Sequence, residues 1–567
     1  MVLYHDGSCR GTSHAPYPVV QAAFVTNAVV FEKCLASKRN PLIPNPEPLT
    51  SSFRGTRMNQ PTIQPVLIAG EWRTAHDSSG TIRAINPTNR EPLPDLYPIS
   101  GRDDVLAALR AGHEAAAALR ETSPAAIATF LEHYADLIEA NREQLVELAH
   151  RETGLPRQPR LNAVELPRTT NQLRQAAAAA RSRSWTNPVI DRDNNIRSIH
   201  APLGGPVVVF GPNNFPFAYN SVAGGDFAAA IATHNPVIAK AHPNHPGTTR
   251  LLAELAFAAA QVAELPAATV QLLYHLPNDL GLELVSHPLV GATGFTGSRR
   301  GGLALKAAAD HAGKPIYLEM SSVNPVFVLR GALEERFDSL VAEFCTSCTM
   351  AVGQFCTNPG LVVVPAGDAG QRFVAAVAAR FSTIAPGVVL NEGVLNGLVE
   401  SVRTLVEHGA QIATGGSVVD DVGLRFANTL LHVSGEQFLA QPNPLQHEAF
   451  GPASLVVLAN DDAQMLAIAQ QLEGALTGGI YSHSDGRDDA LYADLEPLLR
   501  VRVGRLLNDK MPTGVAVSPA MNHGGPFPAS GHAGFTAVGI PAALRRFTAL
   551  HCYDNVRPHR LPAELRD

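Results

Sequence analysis

The chain has 567 residues, of which 45% are hydrophobic and 17% are charged, and its formal net charge is −7 at pH 7. That length predicts two or three domains, and the lack of a basic field argues against nucleic acid as a main partner. No apolar run reaches the roughly 18 residues that a membrane helix needs. Six cysteines are too few for a disulfide framework in a chain of this length, which favours a reducing, cytoplasmic compartment.

The first 57 residues differ in character from the rest. They show no sustained hydrophobic period, and residues 41–48 are rich in proline. We predict a disordered extension, or sequence that precedes a natural start at Met58. Ordered structure is expected from about Gln64, with residues 66–72 and 81–87 as the two strands of one hairpin.

A helical region follows, and then strands and helices alternate. Apolar residues recur at helical spacing over 103–119, 124–140 and 163–181. From residue 205, short apolar strands alternate with helices, which predicts a parallel sheet covered by helices. Such sheets bind nucleotides at the carboxyl ends of their strands. A second alternation after Cys356 predicts a second α/β domain that ends near residue 505. The strands of the first alternation are predicted at 207–210, 236–240, 270–274 and 290–295, and its helices at 222–233, 248–265, 279–286 and 298–312.

Three polar groups stand out against this background. Cys356 lies among glycines and polar residues in the stretch GQFCTNPG, immediately before a buried strand, which suits a reactive thiolate. Glu319 is a lone carboxylate at the end of a predicted strand, and Asn214 supplies an amide on the turn after another. Thiol, carboxylate and amide are the groups that an enzyme needs to oxidise an aldehyde through a covalent thioester.

Other signals are weaker when each is taken alone. The turn at 295–302 could bind a phosphate at a helix N-terminus, or be a close-packed strand–helix connection. Lys240 could contact a cofactor, or be a solvated strand end. Glu448 and Phe450 could hold a ribose and a nicotinamide ring. Cys345 and Cys348 have the CxxC spacing, but we interpret them as small apolar residues on one helix and not as metal ligands.

Taken in chain order, these residues resemble the aldehyde dehydrogenase superfamily over about residues 60–555. The stretches 240–247, 321–326, 353–360 and 523–528 resemble the branch that oxidises 2,5-dioxopentanoate, also called α-ketoglutaric semialdehyde. The resemblance implies an α/β fold with two Rossmann-like parallel-sheet domains and a small bridging element. It divides the chain into an extension (1–57), an NAD(P)-binding domain (58–319) with a bridging strand at about 190–206, a catalytic domain (320–530) and an oligomerisation tail (531–567).

The resemblance also implies roles for individual residues. Cys356 is expected to be the nucleophile, the Asn214 amide an oxyanion donor, and Glu319 the general base that releases a free carboxylic acid. The expected cofactor contacts are Asn213, Lys240, Gly297, Ser298, Gly302, Glu448 and Phe450.

Two expectations concern the cofactor and the substrate. Members that prefer NAD often carry a Glu three residues after the strand-ending Lys, where this chain has Pro243. We therefore predict that NADP is used at least as well as NAD, with His242 or Arg250 near its 2′-phosphate. A substrate with a distal carboxylate needs a cation in its tunnel. We assign that role to Arg174, with Arg168 as second choice; the alternative is that both arginines are surface residues.

Three other functions remain open from the sequence: a broad aliphatic or fatty aldehyde dehydrogenase, a hydrolase that uses Cys356 without a cofactor, and a non-catalytic protein on the same fold. The resemblance implies a small-molecule aldehyde substrate. It also implies a homodimer or homotetramer, built through a strand near 196–201 and the tail near 550–553.

Overall fold

The computed structural model describes residues 62–566, so the predictions for residues 1–57 lie outside the described part of the chain. The strands are β1 (Val66–Ile68), β2 (Glu71–Arg73), β3 (Thr81–Ile82), β4 (Ile85–Asn86), β5 (Glu91–Pro92), β6 (Tyr97–Pro98), β7 (Val189–Asp191), β8 (Ile196–Pro202), β9 (Val207–Phe210), β10 (Val237–Lys240), β11 (Val270–Leu273), β12 (Ala292–Thr296), β13 (Ile316–Glu319), β14 (Val326–Val328), β15 (Leu361–Pro365), β16 (Gln411–Thr414), β17 (Thr429–Ser434), β18 (Ala453–Ala459), β19 (Ala475–Tyr481), β20 (Val503–Asn508) and β21 (Thr548–Asp554).

The α-helices are α1 (Arg102–Glu121), α2 (Pro124–Ala140), α3 (Arg142–Thr153), α4 (Leu166–Ser182), α5 (Gly225–Ala232), α6 (Pro246–Val262), α7 (Asn278–Ser286), α8 (Arg299–His311), α9 (Arg330–Glu335), α10 (Phe337–Thr349), α11 (Asp368–Thr383), α12 (Glu392–Glu407), α13 (Gly435–Ala440), α14 (Pro442–Leu445), α15 (Asp462–Gln470) and α16 (Asp489–Arg500). A π-helical segment (Arg157–Glu165) leads into α4, and short 3-10 turns lie at Met350–Gly353, Ala542–Phe547, Pro558–Arg560 and Ala563–Leu565.

The first large sheet has the strand order β13-β12-β9-β10-β11-β1-β2. Strands β9 to β13 are parallel to one another, and β1 and β2 add antiparallel neighbours at one edge. Strand order reverses between β9 and β12, because β10 and β11 lie on one side of β9 while β12 and β13 lie on the other. That reversal leaves a crevice at the carboxyl ends of the strands, which is where such sheets bind their ligands.

The second large sheet has the order β16-β17-β18-β15-β14-β19-β20 and is parallel except for the edge pair β16–β17. Apolar residues bury both of its faces, as expected for parallel strands covered by helices. The chain passes from the first sheet to the second between β13 and β14, just after Glu319. The predicted α/β fold class with two parallel-sheet layers is therefore confirmed.

A small antiparallel sheet joins distant parts of the chain. Strand β8 lies between β7 and β21, and β21 pairs with it over seven residue pairs from Thr548↔Pro202 to Asp554↔Ile196. The strand predicted near 196–201 thus pairs with the tail strand of the same chain.

Two local predictions were wrong. The expected hairpin between 66–72 and 81–87 does not form, because the chain reverses at Ala69 and Gly70 and pairs β1 with β2. Both turn residues have positive φ, as a tight two-residue hairpin requires. The helix expected from residue 222 begins at Gly225. The Asn220 side chain accepts from the backbone N–H of Val222 and holds a turn there instead.

Candidate active site

A cleft of about 620 Å³ lies where the carboxyl ends of the first sheet face the second sheet. In the first sheet, Phe210, Lys240 and Phe295 are in register on β9, β10 and β12, so the loops that follow these strands open at one edge. In the second sheet, neighbouring strands β15 and β18 are preceded by the Cys356 loop and by the turn that carries Glu448 and Phe450. The residues of the predicted site that line this cleft are Asn213, Asn214, Lys240, Gly297, Ser298, Glu319, Cys356, Glu448 and Phe450.

The backbone that leads to Cys356 has an unusual conformation. Ala351, Val352 and Gly353 all have positive φ, at 46°, 62° and 66°. A β-branched residue such as Val352 is strained there, so the surrounding structure must hold it. At Gly353 an added Cβ would lie 2.1 Å from the backbone oxygen of Gly451, which shows how closely the cysteine loop packs on the Glu448–Phe450 turn.

Two ionised residues position Asn214. Arg160 and Glu165 form a buried ion pair on the segment that leads into α4. Arg160 donates to the backbone oxygen of Asn214 at 2.9 Å, and Glu165 accepts from the backbone N–H groups of Phe217 and Ala218 at 2.8 and 3.0 Å. The turn after β9 is therefore held from both sides. The sequence did not single out this pair.

The Asn214 side chain reaches the cysteine loop directly. Its Nδ2 donates to the backbone oxygen of Gln354 at 3.0 Å. The Gln354 side chain in turn accepts from the backbone N–H of Leu390 at 2.8 Å. One N–H of the Asn214 amide thus fixes the loop, and the second N–H remains for a ligand in the cleft.

The cysteine loop is also held from behind by Asn324. Its Nδ2 donates to the backbone oxygens of Cys356 and Asn358, both at 2.8 Å. The Asn324 side chain is fully buried, and its own φ is 49°. These contacts fix the position of the Cys356 backbone relative to the segment that follows Glu319.

Glu319 and Cys356 meet at a third side chain, His523, which begins the stretch 523–528 and for which the sequence predicted no role. His523 is 1% exposed, and its Nε2 lies 3.4 Å from Cys356 Sγ and 2.8 Å from Glu319 Oε1. Both Glu319 oxygens are buried without a well-directed hydrogen bond. No sequence spacing could place residue 523 beside residue 356, since they are far apart along the chain.

Burial and a neighbouring charge alter the ionisation of the Cys356 thiol. Burial and the nearby Glu319 carboxylate raise the pKa of the Cys356 thiol well above its ordinary value. Both effects disfavour the thiolate, because one removes water and the other brings a like charge close. The nucleophile therefore needs a partner that stabilises its anion.

The other end of the cleft suits an anionic dinucleotide. Helix α8 begins at the cleft with Ser298 as its N-cap, and the Ser298 hydroxyl accepts from the backbone N–H of Gly301. A helix N-terminus of this kind favours phosphate. Burial lowers the pKa of Lys240 to about 8 and raises the pKa of the Glu448 carboxyl to about 7. Glu448 also accepts from the backbone N–H of Ser322 at 3.3 Å.

Two expected cofactor contacts differ from the prediction. Gly302 does not line the cleft, whereas Gly301 does. An added Cβ at Gly302 would lie 3.0 Å from the sulfur of Met320, so that glycine allows α8 to pack closely. Arg250 forms an ion pair with Glu254 at 2.6 Å, while His242 and Pro243 line the cleft.

The structure distinguishes the two candidate arginines. Arg174, the first choice from the sequence, is bound by Glu139 at 2.7 Å and Asp136 at 2.8 Å, on the outer side of its helix bundle. Arg168 instead donates to the Tyr219 hydroxyl at 3.0 Å, with its guanidinium 5.1 Å from the centre of that ring. Its positive charge acts on both Tyr219 and Cys356.

Comparisons with known proteins match one family over most of the chain. The model of the aldehyde dehydrogenase family matches residues 72–536. The chain is 39% identical over 504 residues to alpha-ketoglutaric semialdehyde dehydrogenase 2 of Azospirillum brasilense, covering 86% of this chain and 94% of that protein. It is 37% identical over 500 residues to alpha-ketoglutaric semialdehyde dehydrogenase of Acinetobacter baylyi, covering 86% and 93%.

Solved structures share the fold at lower identity. Lactaldehyde dehydrogenase from Escherichia coli superposes with a TM-score of 0.74 at 22% identity, covering 87% of this chain and 99% of that one. A betaine aldehyde dehydrogenase mutant from Staphylococcus aureus, in complex with NAD+, gives 0.75 at 20% identity, covering 87% and 97%.

Proposed function

Because this chain belongs to the aldehyde dehydrogenase family, we propose that it oxidises 2,5-dioxopentanoate to 2-oxoglutarate with a nicotinamide cofactor. The observation that supports the chemistry is the cleft that Cys356, Glu319 and Asn214 share with Lys240, Ser298 and Glu448. The observation that supports the substrate is the identity of 39% and 37% with two alpha-ketoglutaric semialdehyde dehydrogenases over most of each chain.

In the first half of the reaction, the Cys356 thiolate attacks the aldehyde carbon and forms a thiohemiacetal. The oxyanion that develops accepts hydrogen bonds from the free N–H of the Asn214 amide and from the backbone N–H of Cys356. Loss of one such donor typically lowers the rate by about 10²–10³. The nicotinamide ring, when bound, supplies the hydride acceptor that converts this adduct to a thioester.

In the second half, Glu319 acts as the general base for the water that hydrolyses the thioester on Cys356. Its carboxylate is buried, yet it lines the same cleft as the sulfur. Oε1 faces His523 Nε2 at 2.8 Å, so Oε2, which has no hydrogen-bond partner, is the oxygen that remains available to orient a water molecule. The product is a free carboxylic acid.

The residues of the cleft fit an NAD(P) cofactor. Ser298 and the first turn of α8 would hold the pyrophosphate, Lys240 and Glu448 the ribose groups, and Phe450 one side of the nicotinamide. We propose that NADP serves at least as well as NAD, because Pro243 offers no carboxylate to repel a 2′-phosphate. His242 lies beside it at the cleft, whereas Arg250 is engaged by Glu254.

Arg168 is the better candidate for the distal carboxylate of the substrate. It is half-buried next to Tyr219 and Phe215, and its buried Nε has no hydrogen-bond partner. An unpaired guanidinium donor beside aromatic rings is suited to a carboxylate. Arg174 already binds two carboxylates and offers a matched control.

The test is a panel of the purified protein with 2,5-dioxopentanoate and hexanal, each with NADP and NAD. We expect the dioxo acid to give the higher kcat/KM, and NADP to equal or exceed NAD. A kcat/KM for hexanal above that for the dioxo acid would support the broad aliphatic alternative instead. Growth of the absorbance of reduced nicotinamide with either aldehyde would exclude a hydrolase that works without a cofactor.

A pair of variants tests the substrate contact. Arg168→Met should raise the KM for 2,5-dioxopentanoate at least tenfold, which is about 1.4 kcal/mol, and leave the KM for hexanal unchanged. Arg174→Met should leave both values unchanged. Equal effects of Arg168→Met on the two aldehydes would contradict a role in carboxylate recognition.

We further propose a cytoplasmic homodimer or homotetramer. The outer edge of β21 pairs with no other strand among residues 62–566, and Leu550 on it is 65% exposed. An open strand edge with an apolar side chain is a common site of self-association. Light scattering on the protein as it elutes from a size-exclusion column measures its molecular mass, and a monomer at micromolar concentration would contradict the proposal.

No helix of the described chain has both the length and the apolar character of a membrane span.

A further inference from the structure

His523 is held where it can act on the nucleophile. Its backbone N–H donates to the Thr536 hydroxyl at 2.7 Å, and its backbone oxygen accepts from the N–H of Ala537 at 2.8 Å. The ring packs 5.8 Å from the ring of Tyr219. With the backbone fixed on both sides and the ring almost fully buried, Nε2 has little freedom to leave Cys356 Sγ, which is 3.4 Å away.

Burial and the carboxylates around Cys356 disfavour its thiolate, so ionisation of the thiol requires a nearby proton acceptor. The thiol is half-buried, and the Glu319 carboxylate beside it opposes a second negative charge. The other groups that act on the sulfur are Glu448, whose charge also opposes the thiolate, and the cations Arg168 and Arg505, which favour it. On the far side of His523, a small cavity is lined by Asp226, His532 and Arg546.

Neither arginine is placed to take the thiol proton. Arg505 donates to the backbone oxygens of Gly514 and Pro512 at 3.0 and 2.8 Å, and Arg168 donates to Tyr219. A guanidinium also has no acceptor atom. Imidazole has one, and in contact with a carboxylate it gains from becoming a cation.

We propose that His523 is the base that accepts the Cys356 thiol proton and holds the thiolate as an imidazolium–thiolate pair. This step rests on the proposed function and deepens it. The S–H bond breaks, its electron pair remains on sulfur, and the proton forms a bond to Nε2, while the other ring proton stays on Nδ1. The Glu319 carboxylate, 2.8 Å from Nε2, stabilises the imidazolium. The thiolate thus forms before any cofactor is bound.

The test is the rate at which iodoacetamide alkylates Cys356 in cofactor-free protein, followed by mass spectrometry of the Cys356 peptide between about pH 5 and 10. In His523→Phe we expect alkylation at neutral pH to slow at least about tenfold, and the midpoint of the pH profile to rise by one unit or more. His523→Gln keeps an N–H donor but cannot accept a proton, so it should be as slow as the Phe variant.

Two outcomes would overturn the proposal. One is a Phe variant that reacts like the unchanged protein, and the other is a Gln variant that regains the full rate, which would make His523 only a hydrogen-bond donor. Fluorescence titration with NADPH checks that each variant is folded, and if the Phe variant fails to fold the Gln variant alone decides. Cys552→Ser removes an exposed thiol and should leave the Cys356 profile unchanged.

The alkylation profile and the substrate panel fail independently. Lack of oxidation of 2,5-dioxopentanoate by the unchanged protein would refute the proposed substrate. The alkylation profile of Cys356 would still decide the role of His523. A normal substrate panel with identical alkylation profiles would refute the role of His523 alone.

Discussion

At the scale of single residues, the proposed chemistry depends on side chains whose pKa values burial has shifted from their ordinary range. Cys356 and Glu319 share one small volume with His523, and the Glu319 carboxylate adds to burial in raising the pKa of the Cys356 thiol. Lys240 and Glu448, at the cofactor end, have pKa values shifted toward neutrality by the same cause. Groups that titrate near neutral pH inside a cleft are typical of functional sites.

Glu319→Gln should separate the two halves of the reaction. Thioester formation needs no base for water, so we expect one reduced cofactor per site in a burst, slower than in the unchanged protein because His523 loses the carboxylate that stabilises its cation. Steady-state turnover should then fall about 10²–10⁴-fold, because the thioester is no longer hydrolysed efficiently. Stopped-flow absorbance measures both phases. Loss of the burst together with turnover would mean that Glu319 acts before the thioester.

The lowered pKa of Lys240 predicts that cofactor binding depends on pH. Its pKa is lowered to about 8, so the ammonium is present below that pH and is lost as the pH rises through it. Binding of an anionic cofactor should therefore weaken from pH 7 to pH 9, by up to about tenfold. NADPH fluorescence titration gives the Kd at each pH. The Lys240→Met variant should bind NADPH more weakly at pH 7, and its Kd should no longer rise with pH. The control is Lys306→Met, which removes an amine paired with Asp310 and should bind NADPH like the unchanged protein at each pH.

At the scale of elements, the strand ends and one strained turn bring the site together. The carboxyl ends of β9, β10, β12 and β13 deliver Asn214, Lys240, Ser298 and Glu319 to one edge. The turn of three left-handed residues before Cys356 brings the sulfur to that edge from the second sheet. Parallel strands predict the first arrangement, whereas no sequence rule would predict Val352 in a left-handed conformation.

Gly353→Ala tests the strained turn. The new Cβ would meet the Gly451 backbone oxygen at 2.1 Å, at a φ of 66° that alanine adopts poorly. We expect a lower Tm and at least a tenfold loss of kcat, since Cys356 must move. Gly281→Ala in helix α7 is the control, because its Cβ meets nothing within 4 Å. That change should raise stability by about 0.4–1 kcal/mol. Normal activity of Gly353→Ala would show that the turn does not position the sulfur.

At the scale of the whole molecule, contacts between distant segments hold the layers together. Strand β21 joins the small sheet beside β8, and just before it Arg546 forms a buried ion pair with Asp226 at 2.7 Å. Asp226 lies at the start of helix α5, which connects strands β9 and β10 of the first sheet. The tail is therefore attached to the layer that carries the cofactor end of the cleft.

Arg546→Met should be strongly destabilising, because it leaves the Asp226 carboxylate buried without its partner. The expected loss is about 3–5 kcal/mol, and Asp226→Asn combined with Arg546→Met should lose less than the single change. Thermal unfolding at one scan rate and denaturant titration measure it. Arg181→Met breaks an exposed pair with Glu132 and should change stability by less than about 1 kcal/mol. A small effect at Arg546 would mean that water replaces the ion pair.

The sequence by itself determined the layers and the order of the strand ends, because hydrophobic periodicity is local and parallel strands open at a common edge. It also determined which thiol, carboxylate and amide belong together, through motifs that lie at those ends. The tertiary structure decided what a local pattern does not contain. It brought His523 to Cys356, Arg160 to Asn214 and Arg168 to Tyr219, and it bound Arg174 to acidic residues on a neighbouring helix. Each of these contacts joins segments that are distant along the chain, and their geometry follows only from how the layers pack.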